Sequence, residues 1–162
     1  MVVRLVSIGW LALGCFLVSC DKRAELDIFV DVEGAQWHYE DVKTMDWICR
    51  DTAARYDVLL NVRHAGNYEW QNVYVVLRVV DSLGNKRVFR KSVSLCDGEG
   101  YWLGKGLGNW KVASLLLERG MRFKTAGQYR MSLEQHMRVN PLEGIGQVGL
   151  KIVKRETEKP PN

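Results

Sequence analysis

The sequence has few of the residues from which metal sites and nucleophile-based active sites are built. It contains 3 histidines in 162 residues, His38, His64 and His136, and they are far apart in the chain. The 4 cysteines form no C-x-x-C pair and the histidines show no H-x-x-x-H spacing, so the common zinc-binding patterns are missing. There is no G-x-S-x-G nucleophile motif either. We therefore predict a protein that is not an enzyme and that carries no metal and no cofactor.

Charge of one sign is not concentrated anywhere along the sequence. The formal net charge is +4, and lysine and arginine lie in short runs such as residues 86–91 and 151–155. A nucleic-acid footprint needs lysine and arginine clustered on one face with aromatic or groove-reading partners. The composition therefore predicts no nucleic-acid partner, and we interpret the basic residues as solvating the faces of strands.

Helical periodicity is missing as well. Beyond the N-terminal segment, no window of eleven or more residues carries an apolar stripe with the 3.6-residue period of a helix. Apolar residues instead alternate with polar ones, as they do in half-buried strands, and residues 73–80 are so rich in β-branched side chains that they predict a central strand. The predicted strands are residues 42–50, 56–63, 73–80, 86–95, 112–117, 129–138 and 148–153.

Turn residues separate these strands. The sequence Asp81-Ser82-Leu83-Gly84-Asn85 predicts a hairpin in which Gly84 or Asn85 adopts a positive φ. Roughly seven to nine strands with such turns, in one domain, are typical of two packed antiparallel sheets. We predict an all-β fold with a single antiparallel β-sandwich domain.

The one long apolar run is at the N-terminus, where it has the layout of an export signal. Arg4 precedes the run, which covers residues 5–18, and Leu17-Val18-Ser19-Cys20 ends it. The run is shorter than the roughly 20 residues that span a bilayer, so a permanent transmembrane anchor is not expected. Leucine at −3, serine at −1 and cysteine next resemble a lipobox, whose cysteine is acylated before cleavage. Cleavage before Cys15, or an ordinary secreted protein, are the weaker alternatives.

Lipid on Cys20 would hold the chain at a membrane. At about 0.8 kcal/mol per buried methylene, the two or three acyl chains of a bacterial lipoprotein bind almost permanently. The predicted organisation is a lipoprotein signal peptide at 1–19, a lipidated tether at 20–26, the β-sandwich at 27–155 and a disordered tail at 156–162.

Two further cysteines remain in the mature chain. Cys49 and Cys96 can pair, because an exported protein folds where disulfides are permitted, or they can stay as two buried reduced thiols. The sequence leaves both readings open.

Residues 98–110 contain five glycines and Lys105, a composition with some likeness to a phosphate-binding loop. A P-loop needs G-x-x-x-x-G-K-[S/T] between a strand and a helix, whereas Lys105 is followed by Gly106 and no helical pattern comes next. We interpret the stretch as a long connection in which glycines adopt positive φ and aromatics cap the sheets.

Exposed aromatic side chains on a β-sandwich can stack on sugars, although tryptophan more commonly packs in a core or at an edge. Trp37 is one candidate for such stacking. The other aromatic candidates, together with one cation, form our candidate interaction surface: Tyr68, Trp70, Trp102, Lys105 and Trp110.

Several motifs downstream of the lipobox are not generic strand or turn patterns. They include the run Trp102-Leu103-Gly104-Lys105-Gly106, the strand ending Glu134-Gln135-His136-Met137-Arg138, and residues 142–150. Trp37, Asn61-Val62-Arg63 and Asn67-Tyr68 fit as well. With these residues, most of the mature chain resembles the family called GldH, gliding-motility lipoproteins of Bacteroidetes-type bacteria.

The resemblance implies a cell-envelope lipoprotein without known catalytic residues. It implies work with other lipoproteins and membrane proteins of the gliding apparatus and its linked type IX secretion system, at the outer membrane. Residues 21–25 are not the acidic run associated with surface export in this phylum, which favours a periplasm-facing location. The rival hypothesis is a glycan-binding β-sandwich lipoprotein.

Overall fold

The structure, a computed structural model, describes residues 24–106 and 108–156. The predicted signal peptide, Cys20 and residues 157–162 of the predicted tail lie outside the described residues. Within the described ranges the chain forms ten strands and a three-residue 3-10 helix, Glu33–Ala35, and it forms no α-helix. The strands are β1 (Ala24–Asp31), β2 (Gln36–Trp37), β3 (Lys43–Cys49), β4 (Tyr56–Ala65), β5 (Asn72–Asp81), β6 (Lys86–Ser94), β7 (Trp110–Met121), β8 (Gly127–Gln135), β9 (Leu142–Glu143) and β10 (Ile145–Lys154).

Eight of these strands form two four-stranded antiparallel sheets. The first sheet has the order β1-β10-β4-β7 and the second has the order β3-β8-β5-β6, while β2 and β9 pair separately. The inward-facing side chains of both sheets belong to one hydrophobic core. The prediction of an all-β, antiparallel sandwich is therefore confirmed.

The alternation in the sequence explains which faces are buried. In β4, the side chains of Tyr56, Val58, Leu60 and Val62 are all buried in the core, and β8 repeats this pattern. β5 pairs with both β6 and β8, so the β-branched run at 73–80 is an interior strand as predicted.

β1 begins earlier than the sequence suggested. It starts at Ala24, so residues 24–26 belong to the sheet and not to the tether predicted for residues 20–26. The reason is that Leu26, Ile28 and Val30 face the core and pair with β10, while the alternating residues, which include Asp27 and Phe29, point outward. Only Asp21, Lys22 and Arg23 separate Cys20 from the first strand in the sequence.

A hydrogen-bonded bridge on the outer face of the first sheet secures β1. Asn61 Nδ2, from β4, donates to Asp27 Oδ1 at 2.8 Å and to the carbonyl oxygen of Ile28 at 3.0 Å. It passes over Gly149, where a Cβ atom would lie 1.9 Å from the Ile28 oxygen. Ser114 Oγ, from β7, donates to Asn61 Oδ1 at 2.6 Å. The bridge thus links β1, β4 and β7 across β10.

The strand directions divide the connections between two ends of the sandwich. The N-terminal end, where β1 begins, carries residues 50–55, 82–85 and 119–126 and the close of β10. The opposite end, which we call the loop end, carries the longer connections. These are residues 32–42, 66–71, 95–109 and 136–144.

Cys49 and Cys96 lie at opposite ends of the sandwich and do not pair. Cys49 closes β3 opposite Gly127 at the N-terminal end, whereas Cys96 follows β6 at the loop end. Both are buried free thiols, and burial raises the pKa of each. The disulfide alternative is therefore wrong, because the topology separates the two residues by the length of the sheet.

Candidate interaction surface

All five residues of the candidate interaction surface come from the loop end. Tyr68 and Trp70 lie in the connection from β4 to β5, while Trp102 and Lys105 lie in the glycine-rich connection from β6 to β7. Trp110 is the first residue of β7. The fold therefore brings residues that are far apart in the sequence to the same end of the sandwich.

The glycine-rich connection is built on a turn capped by Asp97. The Asp97 carboxylate oxygen Oδ1 accepts hydrogen bonds from the amides of Glu99 and Tyr101 at 3.0 and 2.9 Å. Beyond this turn, the backbones of Lys105 and Val112 pair with each other. The element that follows is a strand, so the helix N-terminus that a P-loop requires is replaced by β7.

The glycines of this connection have structural roles. Gly100 and Gly108 have φ values of 90° and 66°, a region that favours glycine. A Cβ atom on Gly106 would lie 2.2 Å from the carbonyl oxygen of Trp110. The prediction of positive φ is therefore confirmed for two of the five glycines, whereas Gly98, Gly104 and Gly106 have no positive φ.

Trp102 and Tyr68 pack on His64 rather than toward solvent. The His64 ring centroid is 4.6 Å from that of Trp102 and 5.7 Å from that of Tyr68. Trp102 Nε1 donates to the carbonyl oxygen of Gly66 at 3.1 Å, and the Tyr68 hydroxyl donates to that of Asn72 at 3.2 Å. These contacts join the two long connections, so Tyr68 and Trp102 serve to hold the surface together.

His64 is fully buried beneath these rings. Its Nδ1 lies 2.9 Å from the carbonyl oxygen of Ala65, which can only accept, so Nδ1 carries the proton. Its Nε2 has no hydrogen-bond partner among the described residues. Burial lowers the pKa of His64, and the imidazole is neutral at pH 7. The sequence offered no signal that would distinguish this histidine from the other two.

Trp110 packs against the neighbouring strands β4 and β10. The Arg63 guanidinium carbon lies 5.0 Å from the centroid of the Trp110 ring, within cation–π range. The ring also lies against Gly146, where a Cβ atom would approach it to 2.8 Å. Trp110 is therefore half-buried, and Trp37, which is fully buried, is no candidate for stacking on a sugar.

Trp70 is the exposed aromatic of the candidate surface. Its side chain is 39% exposed, and the neighbouring Tyr74, which the sequence analysis missed, is 48% exposed. The two line one cleft together with Asn72, His136, Met137 and Arg138. The sequence does not single out Tyr74, because this residue lies in the β-branched run that predicted a central strand.

His136 lines this cleft, whereas Glu99 and Lys105 of the glycine-rich connection do not. Among residues 24–106 and 108–156, no three His, Cys, Asp or Glu side chains are grouped so that they could hold a metal ion. No helix in the same part of the chain is long and apolar enough to cross a membrane.

Comparison with known proteins identifies relatives over most of the chain. A family model described as GldH lipoprotein matches residues 26–152. A gliding motility lipoprotein GldH of Flavobacterium johnsoniae is 28% identical over 162 residues, which cover 95% of this chain and 100% of the relative. A gliding motility lipoprotein GldH homolog of Christiangramia forsetii is 27% identical over 145 residues, 85% of this chain and 88% of the relative. No solved structure gives a significant match.

Proposed function

The chain belongs to the GldH lipoprotein family, and from that membership we propose that it is a lipid-anchored, non-enzymatic interaction protein of the gliding and type IX secretion-associated machinery. The family match over residues 26–152 carries this proposal. We place the protein at the outer membrane, facing the periplasm, where it contacts other envelope lipoproteins or membrane proteins of the machinery.

The anchor in this proposal is lipid on Cys20. Two observations support it: the lipobox at residues 17–20, and the start of β1 at Ala24, with only three residues between Cys20 and that strand. A folded domain joined so closely to an acylated cysteine cannot leave the membrane surface. Mass spectrometry of the N-terminal peptide of the mature protein tests this point, with acylated Cys20 as the expected result.

The proposed contact region is the cleft around Trp70 and Tyr74. Exposed tyrosine, tryptophan and arginine are the residues in which protein interfaces are enriched. This cleft combines Trp70, Tyr74 and Met137 with Arg138 at the end of the sandwich that has the longest connections. Loops held on a rigid scaffold are where binding functions concentrate.

The genetic test separates anchoring from contact. Deletion of the gene in its native bacterium is expected to impair gliding or the secretion of type IX cargo, and Cys20→Ala should reproduce much of that defect. Normal behaviour of a correctly exported, soluble Cys20→Ala protein would count against anchoring. The double variant Trp70→Ala/Tyr74→Ala should impair function without affecting protein level, whereas Phe29→Ala, which removes a similarly exposed aromatic far from the cleft, should not.

Glycan binding remains the second candidate because Trp70 and Tyr74 share one cleft and both rings are exposed. Titration of the purified protein with envelope polysaccharide, followed by tryptophan fluorescence, distinguishes the two. Saturable quenching that Trp70→Ala abolishes would favour the glycan, and the absence of quenching together with capture of a protein through the same residues would favour the interaction role.

A further inference from the structure

The two ends of the sandwich carry opposite charge. Residues 50–55, 119–126 and 154–156, at the N-terminal end, contain seven lysines and arginines and two acidic residues. Residues 33–42, 66–71, 95–109 and 136–144, at the loop end, contain two lysines and arginines and seven acidic residues. The net charge of the chain hides this division, because each end is assembled from segments far apart in the sequence.

Four arginines line a single open cleft at the N-terminal end. Arg55, Arg119, Arg122 and Arg155 surround it together with Ala53, Gly120 and Glu156. They come from the connection before β4, the end of β7, the connection after it and the residue after β10. The cleft, of about 530 Å³, is large enough to admit a phosphate-bearing headgroup.

The cleft has more positive charge than its carboxylates balance. Arg155 lies 3.6 Å from the carboxylate of Asp57, and Arg55 donates to the carbonyl oxygen of Gly120 at 3.4 Å. Arg55, Arg119 and Arg122 are exposed, and the ion pairs between described residues include none of the three. Guanidinium groups match the geometry of phosphate oxygens, so the cleft is suited to a phosphate-bearing anion.

The position of this cleft indicates where that anion comes from. Four Cα steps join Cys20 to Ala24, which spans at most about 14 Å. Ala24 pairs with Val153 of β10, and Arg155 follows that strand by one residue. The next strands of the sheet, β4 and β7, bring Arg55 and Arg119 within a further ~10 Å, because neighbouring strands are about 4.8 Å apart.

We propose that the cleft formed by Arg55, Arg119, Arg122 and Arg155 binds the phosphate groups of anionic phospholipid headgroups in the membrane that holds the Cys20 lipid. The domain then stands on the bilayer with its N-terminal end, and the acidic loop end, with Trp70 and Tyr74, points away from the surface. The choice of a membrane rests on the lipidation of Cys20 in the proposed function. The acyl chains supply affinity, and the arginines set the orientation.

Vesicle binding without the acyl chains tests the cleft by itself. The complete mature chain, residues 20–162 with Cys20→Ser, is sedimented with phosphatidylcholine vesicles and with vesicles that also contain phosphatidylglycerol. It should bind only the anionic vesicles, and added salt should weaken binding. Arg119→Gln/Arg122→Gln should lower the partition coefficient about 10-fold or more, since each basic residue near an anionic surface contributes a several-fold gain.

The matched control is Lys105→Gln/Arg138→Gln, which removes the same charge from exposed residues of the loop end. It should bind the anionic vesicles as the parent does. Amide hydrogen exchange should slow in residues 50–55 and 119–126 on these vesicles and stay unchanged in residues 95–106. Equal thermal unfolding midpoints for both double variants would show that folding is not responsible.

Three results would overturn the proposal. The first is binding that does not depend on phosphatidylglycerol, and the second is an equal loss of vesicle binding in both double variants. The third is self-association that Arg119→Gln/Arg122→Gln abolishes, which would show that the cleft pairs with the acidic loop end of a second copy. Because the Cys20→Ser protein carries no acyl chain of its own, the vesicle assay can fail while mass spectrometry of the native protein still finds acylated Cys20. The two proposals are thus distinguished.

Discussion

The connections at the N-terminal end are short and basic, whereas those at the loop end are longer, acidic and aromatic. Both sets are attached to the same eight long strands and close the same core. At the N-terminal end, Trp47, Tyr56, Phe123 and Tyr129 pack edge to face, with the Phe123 and Trp47 centroids 4.8 Å apart. At the loop end, the corresponding cluster is built around a neutral histidine.

This difference shows that one scaffold can present two chemically distinct surfaces without a second domain. The N-terminal end has an apolar interior and excess positive charge outside, which suits a fixed anionic neighbour. The loop end places Trp70 and Tyr74 at the surface, and His64 Nε2 in its interior has no hydrogen-bond partner among the described residues. The predictions below test whether the two ends depend on separate groups of residues.

The largest effect is expected at Gly149, which couples the N-terminal strand to the rest of the first sheet. Gly149→Val would place its side chain on the Ile28 carbonyl oxygen and force β1 away from β10. Destabilisation of about 3 kcal/mol or more is expected in urea unfolding. Gly98→Ala is the control, since nothing lies within 4 Å of a Cβ atom there. Equal unfolding midpoints for both variants would contradict the close approach.

A smaller effect on the same strand is expected from the side-chain bridge. Asn61→Ala removes the donor to Asp27 and Ile28 and leaves the Ser114 hydroxyl without its acceptor. Destabilisation of about 1–3 kcal/mol is expected. Amide exchange should become faster in residues 26–29 and stay unchanged in the loop end. Ser114→Ala, which removes one bond from a solvent-exposed residue, should have a weaker effect. The bridge would be unimportant if exchange in β1 did not change.

Much of the fold could be predicted because alternation in the sequence reports burial directly. It located β3, β4 and β8 to within a few residues, and the β-branched run located β5. The start of β1 could not be found in this way, since Glu25 and Asp27 resemble a charged tether until their pairing with β10 is known. The fate of Cys49 and Cys96 likewise depends on topology, which places them at opposite ends.

The candidate surface was predictable in location but not in exposure. Residue type alone could not separate Tyr68, buried by His64, from Trp70, which stands in a cleft. The charge division could not be predicted, because it exists only after the fold has gathered distant segments. The turn at Asp97, in contrast, does have a signal in the sequence, because Asp97 and Gly100 repeat the spacing of Asp81 and Gly84 in the predicted hairpin.

The pH dependence of stability should distinguish the ends further. Because burial lowers the pKa of His64 in the folded state, the unfolded chain takes up a proton first as pH falls below about 6.5. The His64 contribution to stability is thus fully present above that pH and is lost as pH falls toward the folded-state pKa.

Urea unfolding between neutral and mildly acidic pH measures this contribution. His64→Leu should lose this part of the pH dependence, because it has no imidazole to protonate. The variant should still fold, since the Ala65 carbonyl oxygen keeps its hydrogen bond from the Tyr68 amide. The exposed His136 provides the control variant His136→Asn, which should keep it. Acid should speed amide exchange around residues 66–71 before it affects the aromatic cluster at the N-terminal end. An unchanged pH profile in His64→Leu would assign the dependence to other groups.

The smallest and most local effect concerns one turn that occurs at both ends. Asp81 Oδ1 accepts from the amides of Leu83 and Asn85 at 3.0 and 2.9 Å, as Asp97 does two and four residues on, and Gly84 and Gly100 have φ values of 83° and 90°. Asp81 also accepts from the Asn85 amide side chain and from Thr125 Oγ1, and these bonds lower its pKa.

Asp97→Ala should therefore loosen only its own turn, seen as faster exchange in residues 97–101 with no change in the unfolding midpoint. Asp81→Ala should also lower the midpoint, because it releases the connection after β7. Replacement by asparagine, which keeps a side-chain acceptor, should restore most of the protection at either turn, and equal midpoints for the two alanine variants would show that the ends do not differ in this respect.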